Sequence, residues 1–195
     1  MSNTLEFFYD YVSSYSYLAN HEILTLEGVE IRYRPFFLGG VMQATGNRPP
    51  GTVPAKGSYL GRDLARWARR YGIPFRFNSV FPQNTLSALR LALVAQERDE
   101  FQPLHQNLFN AMFVEDRNLS EVDVLSEILD ASGLDAASYL SAIEEEAIKA
   151  QLKANTEEAV ARGAFGAPTL FVGEEMFFGN DRFDFVREAL AAGSR

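Results

Sequence analysis

The chain is built as two short stretches of strand and helix separated by one long helical block, and this interruption limits it to very few folds. Leu5 to Tyr9 is an apolar, aromatic run with the character of a buried strand. The serine cluster Ser13, Ser14 and Ser16 opens a helix that carries Tyr17, Leu18 and Ala19 inward and is expected to end near Leu26, with Gly28 as its stop. Val29 to Phe36 then alternates apolar and polar residues as a second strand. Links this short make the unit a βαβ, with parallel strands and a right-handed crossover. Strand character returns at Phe165 to Val172 and at Met176 to Phe178, joined by the turn Gly173-Glu174-Glu175. A last helix is expected over Phe183 to Ala192, with Phe185, Val186, Ala189 and Leu190 facing inward and Asn180 or Asp181 as its cap. The class is α/β, in the order βαβ, helical insertion, ββα. Residues 1–57 and 163–195 are expected to form one discontinuous domain, with 58–162 inserted as a helical one.

Inside the block, Leu60, Leu64, Trp67, Ala68 and Tyr71 fall on one face of a helix from Ser58 to Tyr71 closed by Gly72, and Arg62, Arg66, Arg69 and Arg70 form a solvated edge. Further helical patterns follow Pro82-Gln83-Asn84, run from Pro103 to Phe113 and from Glu121 to Ala131, and fill Asp135 to Gly163 with a break near Ala147. Ser120 with Asp123 has the form of a capping box. Ahead of the block, Thr45 to Gly57 holds three prolines and three glycines, which predicts an irregular loop long enough to bind a ligand. Asn47 can donate and accept hydrogen bonds there, and Lys56 is a cation able to meet a carboxylate.

The net charge of −8 sets the chain against phosphate backbones and anionic membranes, so no nucleic-acid or membrane partner is expected. No stretch approaches the ~20 apolar residues of a membrane span. Met1-Ser2-Asn3-Thr4 lacks the basic start of a secretory signal, so the expected location is cytoplasmic. The chain has no cysteine, which removes disulfides, thiolate metal ligands and an intrinsic thiol nucleophile. With two histidines and no spaced ligand motif, no metal is expected. A serine hydrolase would need His21 or His105 as base, and no Gly-x-Ser-x-Gly elbow is present; each histidine reads as a surface or core residue. Any sulfur chemistry must use a borrowed sulfur.

The junction between the first strand and first helix is where such a sulfur would sit. A helix N-terminus leaves backbone N–H groups unpaired and carries the positive end of the helix dipole, and Ser13 adds a hydroxyl. From these residues alone, Ser13 or Ser14 is equally a plain helix cap.

The element order resembles the thioredoxin fold in its DsbA-like form. More specifically, Phe8-Tyr9-Asp10 with Ser13, Tyr15 and Tyr17-Leu18, then Gly46-Asn47-Arg48-Pro49-Pro50 and Val53-Pro54-Ala55-Lys56-Gly57, then Phe165-Gly166-Ala167-Pro168-Thr169 and Gly179-Asn180-Asp181-Arg182, resembles the 2-hydroxychromene-2-carboxylate isomerases and the kappa-class glutathione transferases. The resemblance implies glutathione as cofactor, Ser13 as the catalytic contact to its sulfur, and Asn47 and Lys56 as glutathione-binding. It implies that Ala167, ahead of a cis Pro168, pairs through its backbone with the cysteinyl part, and that Asn180 and Asp181 hold the γ-glutamyl end. A small aromatic substrate and a homodimer are implied as well. Ser14 departs from the proline usual in these families and offers a second hydroxyl. With Ser13 assigned to the sulfur, Ser14 becomes the expected cap.

The expected activity is glutathione-dependent isomerisation of an aromatic unsaturated keto acid by reversible thiolate addition, with Tyr11, Tyr15 and Trp67 available to line the aromatic site, although each reads more simply as a core residue. Conjugation by a kappa-like transferase is the alternative, and a non-catalytic glutathione-binding module is a third reading.

Overall fold

The computed structural model describes residues 3–193. Strand β1 (Thr4–Tyr9), helix α1 (Ser14–Ile23) and strand β2 (Glu30–Pro35) form the expected βαβ, with Thr4 opposite Glu30 and Tyr9 opposite Pro35 in parallel register. Helix α2 (Leu38–Thr45) and a single 3-10 turn (Pro50–Thr52) lead into α3 (Pro54–Tyr71). Helices α4 (Leu86–Glu97), α5 (Phe101–Phe113), α6 (Val122–Ala131), α7 (Ala136–Ala142) and α8 (Glu146–Ala161) follow. The chain closes with β3 (Thr169–Val172), β4 (Glu175–Phe178) and α9 (Phe183–Gly193). The sheet order is β2-β1-β3-β4, and β3 runs antiparallel to both its neighbours. This is the DsbA-like thioredoxin fold, βαβ and ββα halves joined edge to edge around a helical block.

Central β1 is buried on both faces, and its alternation divides the core. Leu5, Phe7 and Tyr9 join one large apolar cluster with Leu18 of α1, Leu64 of α3, Leu89 of α4, Phe109 of α5 and Val186 of α9. Phe8 points the other way, to Phe36, Val41, Ala159 and Phe171. On that second face Glu6 pairs with Arg34 at 3.2 Å and Arg162 at 2.9 Å, while Arg34 also meets Glu158. The helical block therefore shares its core with the sheet, and α8 closes the opposite face. Register fixes the rest: Thr169 lies opposite Phe8, so Pro168 reaches the end of the sheet where β1 hands over to α1.

Several local expectations change. The segment expected to be irregular up to Gly57 is helical from Pro54 onward, because proline at the first helical position gives up no hydrogen bond and has its φ already set. Lys56 thus sits in the first turn of α3, and residue 58 lies inside that helix. Ser120 does not cap α6: Glu121 occupies the cap position, and the Ser120 hydroxyl instead donates to Asn118 Oδ1 at 2.6 Å. Neither Asn180 nor Asp181 caps α9, whose Val186 N–H bonds the Arg182 carbonyl at 3.1 Å. Phe185 faces solvent at 55% exposure, and Phe183, Val186 and Leu190 fill the inner stripe. Among the described residues no helix is long and apolar enough to cross a membrane.

Candidate active site

Ser13, and not Ser14, caps α1. The backbone turns where Ser13 N–H meets the Asp10 carbonyl at 3.0 Å, leaving Ser13 extended with its Oγ accepting from Ser16 N–H at 3.1 Å. Ser14 is the first residue of the helix and is buried. The Ser13 hydroxyl donates in turn to the Ala167 carbonyl at 3.1 Å, and the Ala167–Pro168 peptide bond is cis. Ser13, Ala167 and Pro168 therefore meet at one corner, at the positive end of α1, with no acidic side chain in that helix's first turn.

The remaining expected residues gather around this corner to different degrees. Asn47 follows Gly46, the left-handed C-cap of α2, and its Nδ2 donates to the Phe165 carbonyl at 2.8 Å, two residues before Ala167. Asn47 and Lys56 line one cavity of about 440 Å³ with Arg48, Pro49, Pro50 and Val53. Among the described residues Lys56 has no ion-pair partner, and a cation in the first turn of a helix opposes the dipole there. On the other side Gly179 N–H bonds the Pro168 carbonyl at 3.1 Å, which brings the next two residues to the corner. Gly179 has φ +95°, and a Cβ there would sit 2.9 Å from Asp181 Oδ1, so only glycine allows the turn. Asn180 is buried, exchanging hydrogen bonds with Tyr71: the Tyr71 hydroxyl donates to its carbonyl at 3.0 Å and accepts from its Nδ2 at 3.3 Å. Its side chain thus braces the corner from within. Asp181 is exposed and pairs with Arg182 at 2.5 Å.

Two carboxylates to which the sequence assigned no role also stand at this end. Asp63, on α3, accepts from the hydroxyls of Tyr15 at 2.8 Å and Tyr59 at 3.2 Å. Burial, then the hydrogen bond and charge of Asp63, drive the Tyr15 hydroxyl pKa far above its ordinary value. Asp10 is fully buried beneath the Ser13 turn. It accepts from Val12 N–H at 3.1 Å, Leu38 N–H at 2.9 Å and the Thr85 hydroxyl at 2.5 Å, joining the starts of α1, α2 and α4. Burial raises its pKa, and the three hydrogen bonds pull it back. The serine and proline signals gave no hint of these roles, because Leu38, Thr85 and Tyr15, the partners that tie the carboxylates to other elements, are distant in sequence.

Of the aromatic residues available to line a substrate site, Tyr11 belongs to the core, the simpler of its two readings. It is buried, with its hydroxyl 2.9 Å from His105 Nδ1, and His105 Nε2 is 3.1 Å from Asn20 Oδ1. His105 is thereby a core residue, and His21 packs on Tyr71. Trp67 is partly buried on the inner face of α3 beside Tyr71. Among the described residues, exposed aromatic surface lies on Tyr59 and Phe185, on Phe165 and Phe178 in mutual contact, and on Phe77 and Phe81 in mutual contact in the loop that ends at Thr85.

The sequence profile of the DSBA-like thioredoxin domain matches residues 4–191. The chain belongs to this family. Within it, the DSBA-like chain is 33% identical to the Caenorhabditis elegans protein "Glutathione S-transferase kappa 1", over 95% of its own length and 90% of the relative's. It is 30% identical to the "2-hydroxychromene-2-carboxylate isomerase" of Sphingobium xenophagum, over 97% of its length and 99% of the relative's. A solved 2-hydroxychromene-2-carboxylate isomerase structure superposes with a TM-score of 0.86 at 29% identity, covering 98% of this chain and 96% of that one. These relatives are enzymes of an isomerase and a glutathione transferase kind, and the chain groups with them as an enzyme.

Proposed function

We propose that the protein is a glutathione-dependent isomerase acting on an aromatic unsaturated keto acid such as 2-hydroxychromene-2-carboxylate. The observation that carries this is the Ser13 hydroxyl at the start of α1, hydrogen-bonded to the carbonyl before a cis-proline, in a chain without cysteine. The site has the setting for a thiolate and no sulfur of its own.

Glutathione would enter as an extended strand along Ala167, whose backbone lies free of the β1 pairing that starts at Thr169. Its cysteinyl N–H would take over the Ala167 carbonyl, and this exchange frees the Ser13 O–H to turn to the sulfur. Ser13 Oγ keeps its bond from Ser16 N–H throughout, so the cap survives the exchange. A free thiol ionises near pH 8.5, and a hydroxyl donor together with a helix N-terminus favours the thiolate. The thiol proton passes to solvent. Lys56 and Asn47 would take the glycyl end, and Asp181, whose charge like that of Asp63 acts on the Tyr15 hydroxyl, the γ-glutamyl ammonium, with Asn180 holding the turn.

The thiolate adds to the conjugated carbon, and the carbon–carbon π pair moves onto the carbonyl as an enolate. The former double bond, now single, rotates. Collapse of the enolate re-forms the double bond and expels the thiolate, so glutathione is returned unchanged. Phe165 and Phe178, partly exposed and in ring contact beside the Asn47 hydrogen bond to the Phe165 carbonyl, would offer the substrate an aromatic surface. A second reading, conjugation with the adduct retained, is favoured by the 33% identity to a kappa transferase. One assay separates them: the purified protein with and without glutathione, on 2-hydroxychromene-2-carboxylate and on a chloronitrobenzene. Glutathione-dependent isomerisation with no loss of free thiol supports the first, stoichiometric thiol consumption the second, and turnover of neither rejects both.

A further inference from the structure

Away from Ser13, helices α2, α4 and α8 line a second, open cavity of about 630 Å³, within the usual range for small-molecule sites. None of Ser13, Asn47, Lys56, Ala167, Pro168, Asn180 or Asp181 lines it. Its lining is apolar at Phe37, Leu152 and Val160 and cationic at Arg90, Lys149 and Lys153, with Glu157 as the single carboxylate among the lining residues. Three cations around one cavity run against a chain whose net charge is −8.

Two features make this more than a gap between helices. Gly39 and Gly40 stand side by side in α2, where each lowers helix stability. A Cβ at Gly39 would lie 2.7 Å from the Phe37 ring, and one at Gly40 3.3 Å from the same ring and 3.4 Å from Thr156. The glycines give the Phe37 ring its place in the wall. Arg90 is the second feature. Its Nε is shut off from solvent without a hydrogen-bond partner, and its Nη1 lies 3.9 Å from Glu144 Oε1, too far for a hydrogen bond. A largely buried guanidinium left this way is disfavoured, and an anion beside it offsets the loss. Lys149 is already met by Glu144 and Glu146, and Lys153 by Glu157, which leaves Arg90 as the anchor.

We propose that this cavity binds an amphipathic organic anion, a carboxylate on a compact hydrophobic body, at a site separate from the one around Ser13. The hydrophobic body lies against Phe37, Leu152 and Val160, and the carboxylate meets Arg90.

Calorimetric titration of the whole protein with naphthalene-2-carboxylate, in the presence of saturating S-hexylglutathione, tests this. One saturable site is expected, and naphthalene-2-carboxamide should bind about tenfold or more weakly. Arg90→Gln should weaken the carboxylate by a similar factor, with folding checked by circular dichroism. Ala44 lines the cavity from the exposed side of α2, so Ala44→Trp should block it without touching the core, and this variant decides the matter if Arg90→Gln does not fold. Absence of saturable binding, displacement of the probe by S-hexylglutathione, equal affinity for the carboxamide, or unchanged affinity in Ala44→Trp would each overturn the assignment. The Ala44→Trp comparison reads the cavity even if S-hexylglutathione does not bind, so it stands apart from the proposal for Ser13.

Discussion

The hydroxyl of Ser13 donates to the carbonyl of Ala167 across 154 residues of sequence, and the same oxygen accepts from Ser16 N–H to cap α1. One atom thus serves the helix and faces the place where a ligand strand would pair. Removing that oxygen removes both roles at once.

Ser13→Ala should lower turnover by roughly 10 to 150-fold, from the loss of a charge-assisted hydrogen bond of about 1.5 to 3 kcal/mol. The lost cap should cost a further ~1 kcal/mol of stability. Ser14→Ala, at the first helical position, should change neither to a comparable degree. Steady-state kinetics and denaturant melts on both variants check this; equal effects from the two serines would reject the assignment.

Lys56→Glu should raise the KM for glutathione while leaving Tm equal or higher, since an anion suits the first turn of α3 better than the cation now there. A drop in Tm with unchanged KM would mean that Lys56 serves the fold and not a ligand.

The strand and helix order was legible from periodicity because β1 and β2 sit in an ordinary βαβ with both cores reading out as alternation along β1. What periodicity could not decide was which of two adjacent serines caps α1, a choice made by the turn that ties Ser13 N–H to Asp10. The start of α3 was marked by Pro54, but the surrounding glycines and prolines masked it. Phe185 was placed inward because residues 185, 186, 189 and 190 read as one apolar stripe, whereas the buried stripe is Phe183, Val186 and Leu190, and Phe185, two residues past Phe183, falls on the far side of the helix. The links that Asp10 and Asp63 make between elements stayed hidden since Thr85 and Tyr15 are 75 and 48 residues away.

Asp10→Ala should destabilise the fold by ~3 kcal/mol or more, because Val12 N–H, Leu38 N–H and the Thr85 hydroxyl all lose their acceptor in a buried place. Asp10→Asn keeps an oxygen for part of this set and should cost less. If Asp10→Ala melts like the parent, the buried carboxylate is not the strut of the Ser13 turn.

His105 should make the protein acid-sensitive. Its Nε2 faces an acceptor, Asn20 Oδ1, so that nitrogen carries the proton, and Nδ1 accepts from the Tyr11 hydroxyl. Burial holds the folded pKa down to about 3 against 6.5 for the free side chain. The unfolded chain therefore takes up a proton that the folded one refuses. This contribution to stability is complete above 6.5 and is lost as pH falls toward 3, at about 1.4 kcal/mol per pH unit. Asp10 works the other way: its raised folded pKa lowers stability as pH climbs above 3.8, opposing the His105 slope only in the acidic part of the window. His105→Gln removes the titration while keeping an amide donor and acceptor. Urea midpoints measured from neutral pH downward should fall more steeply for the parent than for His105→Gln, and parallel curves would show that His105 takes no part in the acid response.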